Sequence, residues 1–315
     1  MSAAIAMLLL GLVLTVKGGD LFVDAAVWLA LALGVPTFLV GATVVSLATT
    51  LPELAVSLLA AARGSAGIAA GNAVGSVSAN LGLILGISLS CAPAPLEDRR
   101  QVDRLLMMAC AAALLCLLCQ GGVITLPWAL GPLGLCLGFL WQSAADGRRR
   151  SRKLSEKQSR PSPALLAGCA LRFVCGGAAI AAGARLLCDY GAALARLCGV
   201  SDVVIGATLV AVGTSLPELV TALTALARGE GSLSVGNIVG ANIIDLTLIL
   251  PLSALQSGGR LPLPSQTLAV DMPSCLMLCA VAVVPTLWTR RFHRWQGAVL
   301  LGMYGVYVVM VIGRG

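Results

Sequence analysis

Long apolar runs separated by short polar segments recur along the whole chain. An α-helix needs about 20 mostly apolar residues to cross the hydrocarbon core of a bilayer. Runs of this length with few charges therefore predict transmembrane helices. The predicted spans, numbered 1 to 10 in chain order, cover about 3–30, 37–62, 68–92, 102–120, 122–142, 163–196, 203–227, 232–256, 266–288 and 295–313.

The first and sixth spans are longer than a perpendicular crossing requires, which predicts that they tilt. The amino terminus lacks the basic start and the small-residue cleavage site of a secretory signal. We therefore expect span 1 to be a retained helix.

Composition excludes a soluble chain of ordinary type. Apolar residues make up 58% of the sequence and charged residues 11%, and the mean hydropathy is +0.95. A soluble domain carries about 45–50% apolar and about 25% charged residues. A chain of this length has too little interior to hide so much apolar surface from water, which leaves the bilayer and its lipid as the solvent.

The net charge of +7 is concentrated in three connections rather than spread over a nucleic-acid-binding face. Basic residues follow spans 3, 5 and 9, the largest group lying in the polar stretch 143–162. The positive-inside rule places these three connections in the cytoplasm and both termini outside. Short loops without a large regulatory domain favour a prokaryotic inner (plasma) membrane, and no obligatory protein partner is evident. The basic residues concerned are Arg99, Arg100, Arg104, Arg148, Arg149, Arg150, Arg152, Lys153, Lys157, Arg160, Arg290, Arg291 and Arg294.

Eleven cysteines do not indicate a metal site or a disulfide framework. Most of them lie inside apolar spans and lack the paired C-x-x-C spacing that zinc favours. We expect them to serve as small apolar core residues.

The chain contains an internal repeat. Residues 40–64, VGATVVSLATTLPELAVSLLAAARG, return as IGATLVAVGTSLPELVTALTALARG at 205–229. The copies stay in step through GNAVGSVSAN at 71–80 and GNIVGANIID at 236–245, so the offset is 165 residues throughout.

Each half holds five predicted spans, and an odd number makes the second half enter the membrane from the opposite side. The fold class predicted is therefore an all-α membrane protein of ten transmembrane helices, arranged as two inverted five-helix repeats. The first repeat covers 1–142, a basic cytoplasmic linker covers 143–162, and the second repeat covers 163–315. Inverted repeats are typical of secondary transporters, which place their substrate near the midplane.

Glu53, Glu218 and Asp245 are carboxylates predicted deep inside spans. An ionisable group at that depth costs about 2.5–3.5 kcal/mol on insertion scales, so it usually faces a cavity, forms a pair or binds an ion. The two glutamates are repeat equivalents, and Asp245 corresponds to Asn80. This match argues against a single protonated carboxyl that merely joins two helices.

Neutral oxygens surround these carboxylates in the sequence. Thr49 lies four residues before Glu53, and Thr214 lies four residues before Glu218, so each pair shares a helix face. Calcium binds six to eight oxygens from carboxylates and neutral donors. Soft ligands are lacking, which favours calcium, sodium or a proton over zinc or copper. Further oxygens come from Thr50, Ser215, Ser76 and Asn80.

Two motifs predict irregular or close-packed helices at this point. Pro52 and Pro217 each remove a helical N–H beside a glutamate, leaving the Ala48 and Gly213 carbonyls free. Broken helices with free carbonyls are how transporters commonly bind sodium. The paired GxxxG patterns, at 71–75 and 236–240, predict close helix packing, in which spans 2 and 3 approach closely enough to share one ion.

GTSLPEL at 213–219, ATTLPEL at 48–54 and the paired GN-x-x-G segments resemble the alpha repeats of the cation/calcium exchanger superfamily. The resemblance spans nearly the whole chain and includes the RWQG opening of span 10 at 294–297. The sequence is most similar to the compact prokaryotic sodium/calcium exchangers. The resemblance implies a transporter of Ca²⁺ and Na⁺ with no cofactor and no enzymatic activity, in which spans 1 and 6 slide across the core.

The resemblance also implies a diamond of four ion positions between spans 2, 3, 7 and 8. Glu53 and Glu218 take the bridging positions. Ala241 stands where the family usually has a serine ligand, which removes one oxygen from an outer sodium position. The implied ligands are Glu53, Glu218, Asp245, Asn80, Thr49, Thr50, Thr214, Ser215, Ser76 and the backbone carbonyls of Ser46 and Ala211.

The function expected is secondary active antiport of sodium against calcium by alternating access at a midplane carboxylate site. The first alternative is a proton/calcium exchanger of the same fold, because Ala241 weakens the argument for sodium. An intramembrane acidic protease would need a GxGD-type segment, and the sequence has none. A cation channel usually forms its filter from several identical subunits, whereas this chain supplies its own paired site.

Overall fold

The structure is a computed structural model that describes residues 2–33, 35–93, 95–96, 98–155, 162–197 and 211–313. Four stretches are π-helical and continue directly into α-helices: Gly41–Val45, Asn80–Leu85, Asp245–Ile249 and Thr267–Asp271. The α-helices are Ser2–Leu33, Thr37–Val40, Ser46–Ala62, Ala66–Ala79, Gly86–Cys91, Arg99–Cys119, Leu126–Ser155, Pro163–Leu197, Ala211–Thr214, Leu216–Ala227, Gly231–Ile244, Leu250–Gln256, Met272–Thr289 and Arg294–Ile312.

Eight helices of the described chain are long and apolar enough to cross a membrane. They correspond to predicted spans 1, 2, 3, 4, 6, 8, 9 and 10. Predicted span 5 lies in the helix Leu126–Ser155, whose second half is strongly basic. Predicted span 7 is represented by Ala211–Thr214 and Leu216–Ala227, and its first part, 203–210, falls outside the described residues.

Carboxylate, amide and hydroxyl side chains lie inside the bundle together with an apolar core, and many large apolar side chains are exposed on its outer surface, unlike in a water-soluble domain. Leu9 is 58% exposed and Trp288 88% exposed, whereas Glu53, Asn80 and Asp245 are each 1% exposed. Lipid tails can cover the outer apolar surface. Because the tails form no hydrogen bonds, polar groups must find their partners inside the protein. This distribution confirms that the chain is an integral membrane protein.

Two short antiparallel pairings add β-structure that the all-α prediction omitted. Strand β1, Val123–Thr125, pairs with strand β2, Arg260–Pro262. An isolated bridge joins Pro95 to Arg291. The pairings form because connections from different repeats meet side by side at the ends of the helices, where extended backbone finds a partner for its N–H and C=O groups.

The amino-terminal part of the basic linker is helical as far as the described residues extend, which is to 155. The helix Leu126–Ser155 continues through 143–155, where only a loop was predicted. Its alanine, arginine and lysine residues favour helix, and Asp146 fixes its direction through an ion pair of 2.9 Å with Arg100. Arg104 was predicted in a basic connection, but it lies inside the helix Arg99–Cys119 and is buried, 3.2 Å from the Ser143 hydroxyl and 3.6 Å from Asp146.

Spans 1 and 6 pack against each other through glycines. A Cβ atom at Gly18 would lie 2.9 Å from the Gly176 carbonyl oxygen, and one at Gly183 would lie 2.7 Å from that of Gly11. The Phe22 and Phe173 rings stack with centroids 4.2 Å apart. Contacts that run from 11 to 183 and from 18 to 176 show that the two helices are antiparallel and in close backbone contact.

Spans 2 and 8 approach even more closely. A Cβ atom at Gly236 would lie 2.3 Å from the Phe38 carbonyl oxygen, and one at Gly240 would lie 2.4 Å from that of Ala42. The second GxxxG pattern therefore packs span 8 against span 2, whereas the predicted close contact was between spans 2 and 3; a Cβ atom at Gly71 would meet nothing within 4 Å among the described residues. The segment that would meet the first pattern by the 165-residue offset is 202–210, which falls outside the described residues.

Candidate ion-binding site

Glu53, Glu218 and Asp245 are all buried, with exposed fractions of 1%, 0% and 1%. Both carboxylate oxygens of each glutamate, and Oδ1 of Asp245, lack a hydrogen-bond donor among the described residues. A buried carboxylate without a donor is strongly destabilised unless it binds a cation or a proton. These five oxygens are therefore available to an ion.

Hydroxyls of one repeat lie beside the glutamate of the other. The Ser215 side chain is next to the Glu53 carboxylate, and the Thr49 and Thr50 side chains are next to Glu218. The negative charge of Asp245 repels those of both glutamates. The two repeats thus interlock, and each places hydroxyl oxygens beside the other's carboxylate.

The residues at the 80/245 pair of repeat positions contact each other directly. Asn80 Nδ2 donates to Asp245 Oδ2 over 3.4 Å, leaving Asn80 Oδ1 without a partner among the described residues. A π-helical stretch begins at each of these residues, Asn80–Leu85 and Asp245–Ile249. Such turns are frequent at functional sites, because the extra residue shifts side chains and carbonyls away from regular helix geometry.

The remaining predicted ligands lie on the same helices. Thr50, Ser76 and Ser215 are buried, with hydroxyls that lack a partner in the described chain. The Ser46 carbonyl accepts the Thr49 hydroxyl over 3.3 Å. Thr214 is half-buried at the end of the helix that Ala211 begins, and the Ala211 side chain falls outside the description.

Within the described ranges, no group of three or more histidine, cysteine, aspartate or glutamate side chains is arranged to hold a metal ion. A cation here would therefore combine carboxylates with hydroxyl, amide and carbonyl oxygens. That donor set suits hard ions such as calcium and sodium, and it does not suit zinc or copper. The nine cysteines whose side chains are described are free thiols.

The two prolines behave differently, contrary to the prediction of matched breaks. The helix Ser46–Ala62 runs through Pro52, whereas the second repeat is interrupted at Ser215, with Pro217 near the start of the helix Leu216–Ala227. A proline inside a helix can be accommodated by a kink when neighbouring helices hold both halves. The irregularity of the first repeat lies earlier, in the π-helical stretch Gly41–Val45.

Sequence reasoning missed two asparagines of the repeated GN-x-x-G segments. Asn72 Nδ2 donates to the Glu53 carbonyl over 3.0 Å and to the Ser57 hydroxyl over 2.8 Å. Asn237 Oδ1 accepts the Thr49 hydroxyl over 3.4 Å. Both asparagines recur at the 165-residue offset, and that recurrence was the available signal.

A fourth buried carboxylate was also missed. Asp271 is 3% exposed in span 9 and accepts the Tyr307 hydroxyl over 3.2 Å. Its repeat equivalent is Leu106, so the comparison of repeats gave no signal at this position.

The helices and the buried polar cluster define a helical integral membrane protein with an oxygen-lined internal site. The chain matches the sodium/calcium exchanger protein family over residues 3–144 and 169–313. It is 33% identical to the sodium/calcium exchanger MaX1 of Methanosarcina acetivorans, covering 96% of this chain and 97% of MaX1. It is 32% identical to the inner membrane protein YrbG of Escherichia coli, covering 99% and 97%.

The fold is similar to solved structures of the sodium-calcium exchanger NCX_Mj. One of them superposes with a TM-score of 0.85 at 29% identity, covering 97% of both chains. The chain therefore belongs to the sodium/calcium exchanger family. It is a transporter rather than an enzyme, and the family resemblance predicted from the repeated motifs is confirmed.

Proposed function

We propose that this chain exchanges sodium for calcium by alternating access at a site between Glu53 and Glu218. The observation that carries the proposal is the set of four unpaired glutamate oxygens, buried at equivalent repeat positions beside hydroxyls of the opposite repeat. MaX1 and NCX_Mj are both named as sodium/calcium exchangers. The ions are cargo, and the proposed ligands are the predicted set, from Glu53 and Glu218 to the Ser46 and Ala211 carbonyls.

The charge of the site accounts for coupled exchange. Glu53, Glu218 and Asp245 cannot all remain ionised in a buried site without cations, because like charges there repel strongly. Three sodium ions neutralise the three carboxylates, and one calcium ion neutralises two of them. Sodium and calcium therefore compete for the same oxygens. The empty site does not switch between the two sides of the membrane, because its negative charges are then buried without cations.

An inverted ten-helix arrangement is supported by the two β pairings. The bridge at Pro95 and Arg291 joins the connections after spans 3 and 9, and strands β1 and β2 join those after spans 4 and 8. At the 165-residue offset Pro95 corresponds to Arg260 of strand β2, and Arg291 corresponds to Leu126, the residue after strand β1, so the two pairings are repeat equivalents. The two pairings lie at opposite ends of the helix Arg99–Cys119, which is about 30 Å long at about 1.5 Å per residue. Equivalent spans therefore end on opposite sides.

We assign 1–142 and 163–315 to the two repeats and 143–162 to the cytoplasmic linker. The basic residues after spans 3, 5 and 9 support this topology through the positive-inside rule. Exposed tryptophans lie near both sets of helix ends, Trp128 after span 4 and Trp141, Trp288 and Trp295 beside the connections after spans 5 and 9. Tryptophan is enriched at membrane–water interfaces. Both termini are then outside. YrbG is named as an inner membrane protein, and we place this chain in a prokaryotic inner membrane.

Spans 1 and 6 form the moving element in this proposal. Their mutual contact runs through glycine backbone and one stacked phenylalanine pair. Such close packing through glycines holds the two helices together, so that they can shift as one unit against the rest of the protein.

The test is calcium uptake into proteoliposomes that hold the purified protein, with an outward sodium gradient or, separately, an outward proton gradient. Uptake with the sodium gradient alone is expected. Uptake with the proton gradient alone would keep the site but transfer the protein to proton/calcium exchange. Calcium flux that needs no counter-ion and does not saturate would indicate a channel and would overturn the proposal.

Proton/calcium exchange is the second candidate, and Ala241 is the observation that favours it. This residue is fully buried in the span that carries Asp245, and its side chain offers no oxygen. A chain that lacks one sodium ligand can rely on a proton at a neighbouring carboxylate.

Substituting Ala241 with serine is expected to lower the sodium concentration for half-maximal exchange about threefold to tenfold. One added neutral oxygen contributes about 0.5–1.5 kcal/mol. The calcium concentration for half-maximal exchange should stay within about twofold, because the added oxygen belongs to an outer sodium position. Ala254→Ser, at another fully buried alanine of the same span, is the control. Equal sodium dependence in wild type and A241S would contradict the ligand position.

A further inference from the structure

An ion-pair cluster joins span 1 to the end of the Leu216–Ala227 helix. Arg228 Nη2 lies 2.9 Å from Asp20 Oδ1, and Arg228 Nη1 pairs with Asp24 Oδ1. Arg228 is the residue at which this helix ends, where a positive charge is favoured by the helix dipole. One guanidinium therefore holds two carboxylates on successive turns of span 1.

The backbones of the two helices are also close at this point. A Cβ atom at Gly19 would lie 2.8 Å from Thr224 Oγ1 and 2.9 Å from Val220 Cγ1. Gly19 precedes Asp20, and Thr224 lies one turn before Arg228. Span 1 can move away from this helix only if the ion pairs break.

The second repeat has no such cluster among the described residues. The equivalents of Arg228, Asp20 and Asp24 are Arg63, Arg185 and Asp189. Asp189 pairs with Arg185 on its own helix, over 3.8 Å, and Arg63 forms no ion pair within the described chain. Arg185, the repeat equivalent of Asp20, has the same charge sign as Arg63, so within the described residues the arrangement exists at one end only.

We infer that Arg228, Asp20 and Asp24 are positioning residues that hold span 1 against the Leu216–Ala227 helix and close the transporter at the end where this helix terminates. That end is the cytoplasmic one under the proposed topology. The inference rests on the alternating-access mechanism proposed above. Because the cluster is one-sided, it favours the state closed to the cytoplasm. None of the three residues contacts the ion site.

Two ion pairs on one arginine shift a two-state equilibrium by about fivefold to thirtyfold when each contributes up to about 1 kcal/mol. Arg228→Ala is therefore expected to populate the cytoplasm-open state by that factor. The half-saturating calcium concentration should fall on the cytoplasmic side and rise on the outer side. A general structural defect would change both sides in the same direction.

The experiment measures calcium exchange in oriented proteoliposomes with calcium varied on each side in turn, together with amide hydrogen exchange of residues 20–33. Arg228→Ala, Asp20→Asn and Asp24→Asn should each shift the two half-saturating concentrations in opposite directions and speed exchange in 20–33. Arg63→Ala is the matched control and should behave as wild type. Charge reversal in the pair, Arg228→Asp with Asp24→Arg, should move both values back towards wild type, with incomplete recovery because Asp20 then faces the aspartate at position 228.

The inference is overturned if all three single variants keep the wild-type half-saturating calcium concentrations on both sides, provided that Glu53→Gln abolishes calcium flux. Retained flux in Glu53→Gln would instead overturn the proposed function itself. Should Arg228→Ala yield no folded protein, the isosteric Asp24→Asn variant decides the matter. Failure of the charge-reversed pair to recover sidedness would also count against a direct ion-pair role.

Discussion

Replacing Glu218 with glutamine is expected to abolish sodium-driven calcium uptake. Glutamine keeps the shape of the side chain but removes one negative charge from a site where both carboxylate oxygens are unpaired. Loss of one member of a buried charge pair costs about 2–5 kcal/mol, which corresponds to a factor of about 30 to several thousand in affinity. Calcium, with two charges, depends on both glutamates.

The measurement is initial calcium uptake into proteoliposomes at equal protein density, with folding checked by size-exclusion chromatography. Glu230→Gln is the matched control, since Glu230 lies in the link before span 8 and away from the site. We expect Glu53→Gln to behave like Glu218→Gln, because the two positions are repeat equivalents. Uptake by Glu218→Gln at half the wild-type rate would remove this glutamate from the proposed ligands.

The second large effect is expected for alanine at Gly240. Its Cβ atom would lie 2.4 Å from the Ala42 carbonyl oxygen and 2.6 Å from Ser46 Oγ. The first of these is backbone of span 2, so it cannot rotate away, and spans 2 and 8 would have to separate. Overpacking of this kind costs about 3 kcal/mol, which lowers the midpoint of thermal unfolding by about 4–5 °C for a chain of 315 residues.

Thermal unfolding in detergent and calcium uptake measure the two consequences of Gly240→Ala. Transport should fall together with stability, because Ser46 and the neighbouring Thr49 and Thr50 belong to the proposed site. Gly302→Ala is the control: it is exposed, and no heavy atom of the described chain lies within 4 Å of its Cβ position. A Gly240→Ala variant as stable as Gly302→Ala would contradict the close contact of spans 2 and 8.

Much of the architecture was predictable from local properties of the sequence. Span positions follow from apolar length, and eight of the ten predicted spans are long apolar helices. Repeat matching identified Glu53, Glu218, Asp245 and Asn80, because ionisable groups are costly in a membrane and their recurrence at one offset is improbable by chance. The family was recognised from the same motifs, because these motifs contain the residues proposed to bind the ions.

Other features depend on contacts between residues far apart in the chain. Hydroxyls from one repeat lie beside the glutamate of the other, the ribbon pairs 123–125 with 260–262, and Arg228 reaches Asp20 across more than 200 residues. Local periodicity contains no information on which helices meet. The continuous helix at Pro52 and the helical linker also differ from expectation, because packing and ion pairs outweighed local tendencies.

The division between the two sources of information has a physical basis. Hydropathy and charge act residue by residue, so the sequence reports directly what enters the bilayer and which groups cannot remain there unpaired. Distances between partners depend on how the helices pack, and packing is a cooperative property of the whole chain. The sequence therefore singled out the buried carboxylates Glu53, Glu218 and Asp245, and the folded structure showed which hydroxyls lie beside the two glutamates and that Arg228 pairs with Asp20 and Asp24.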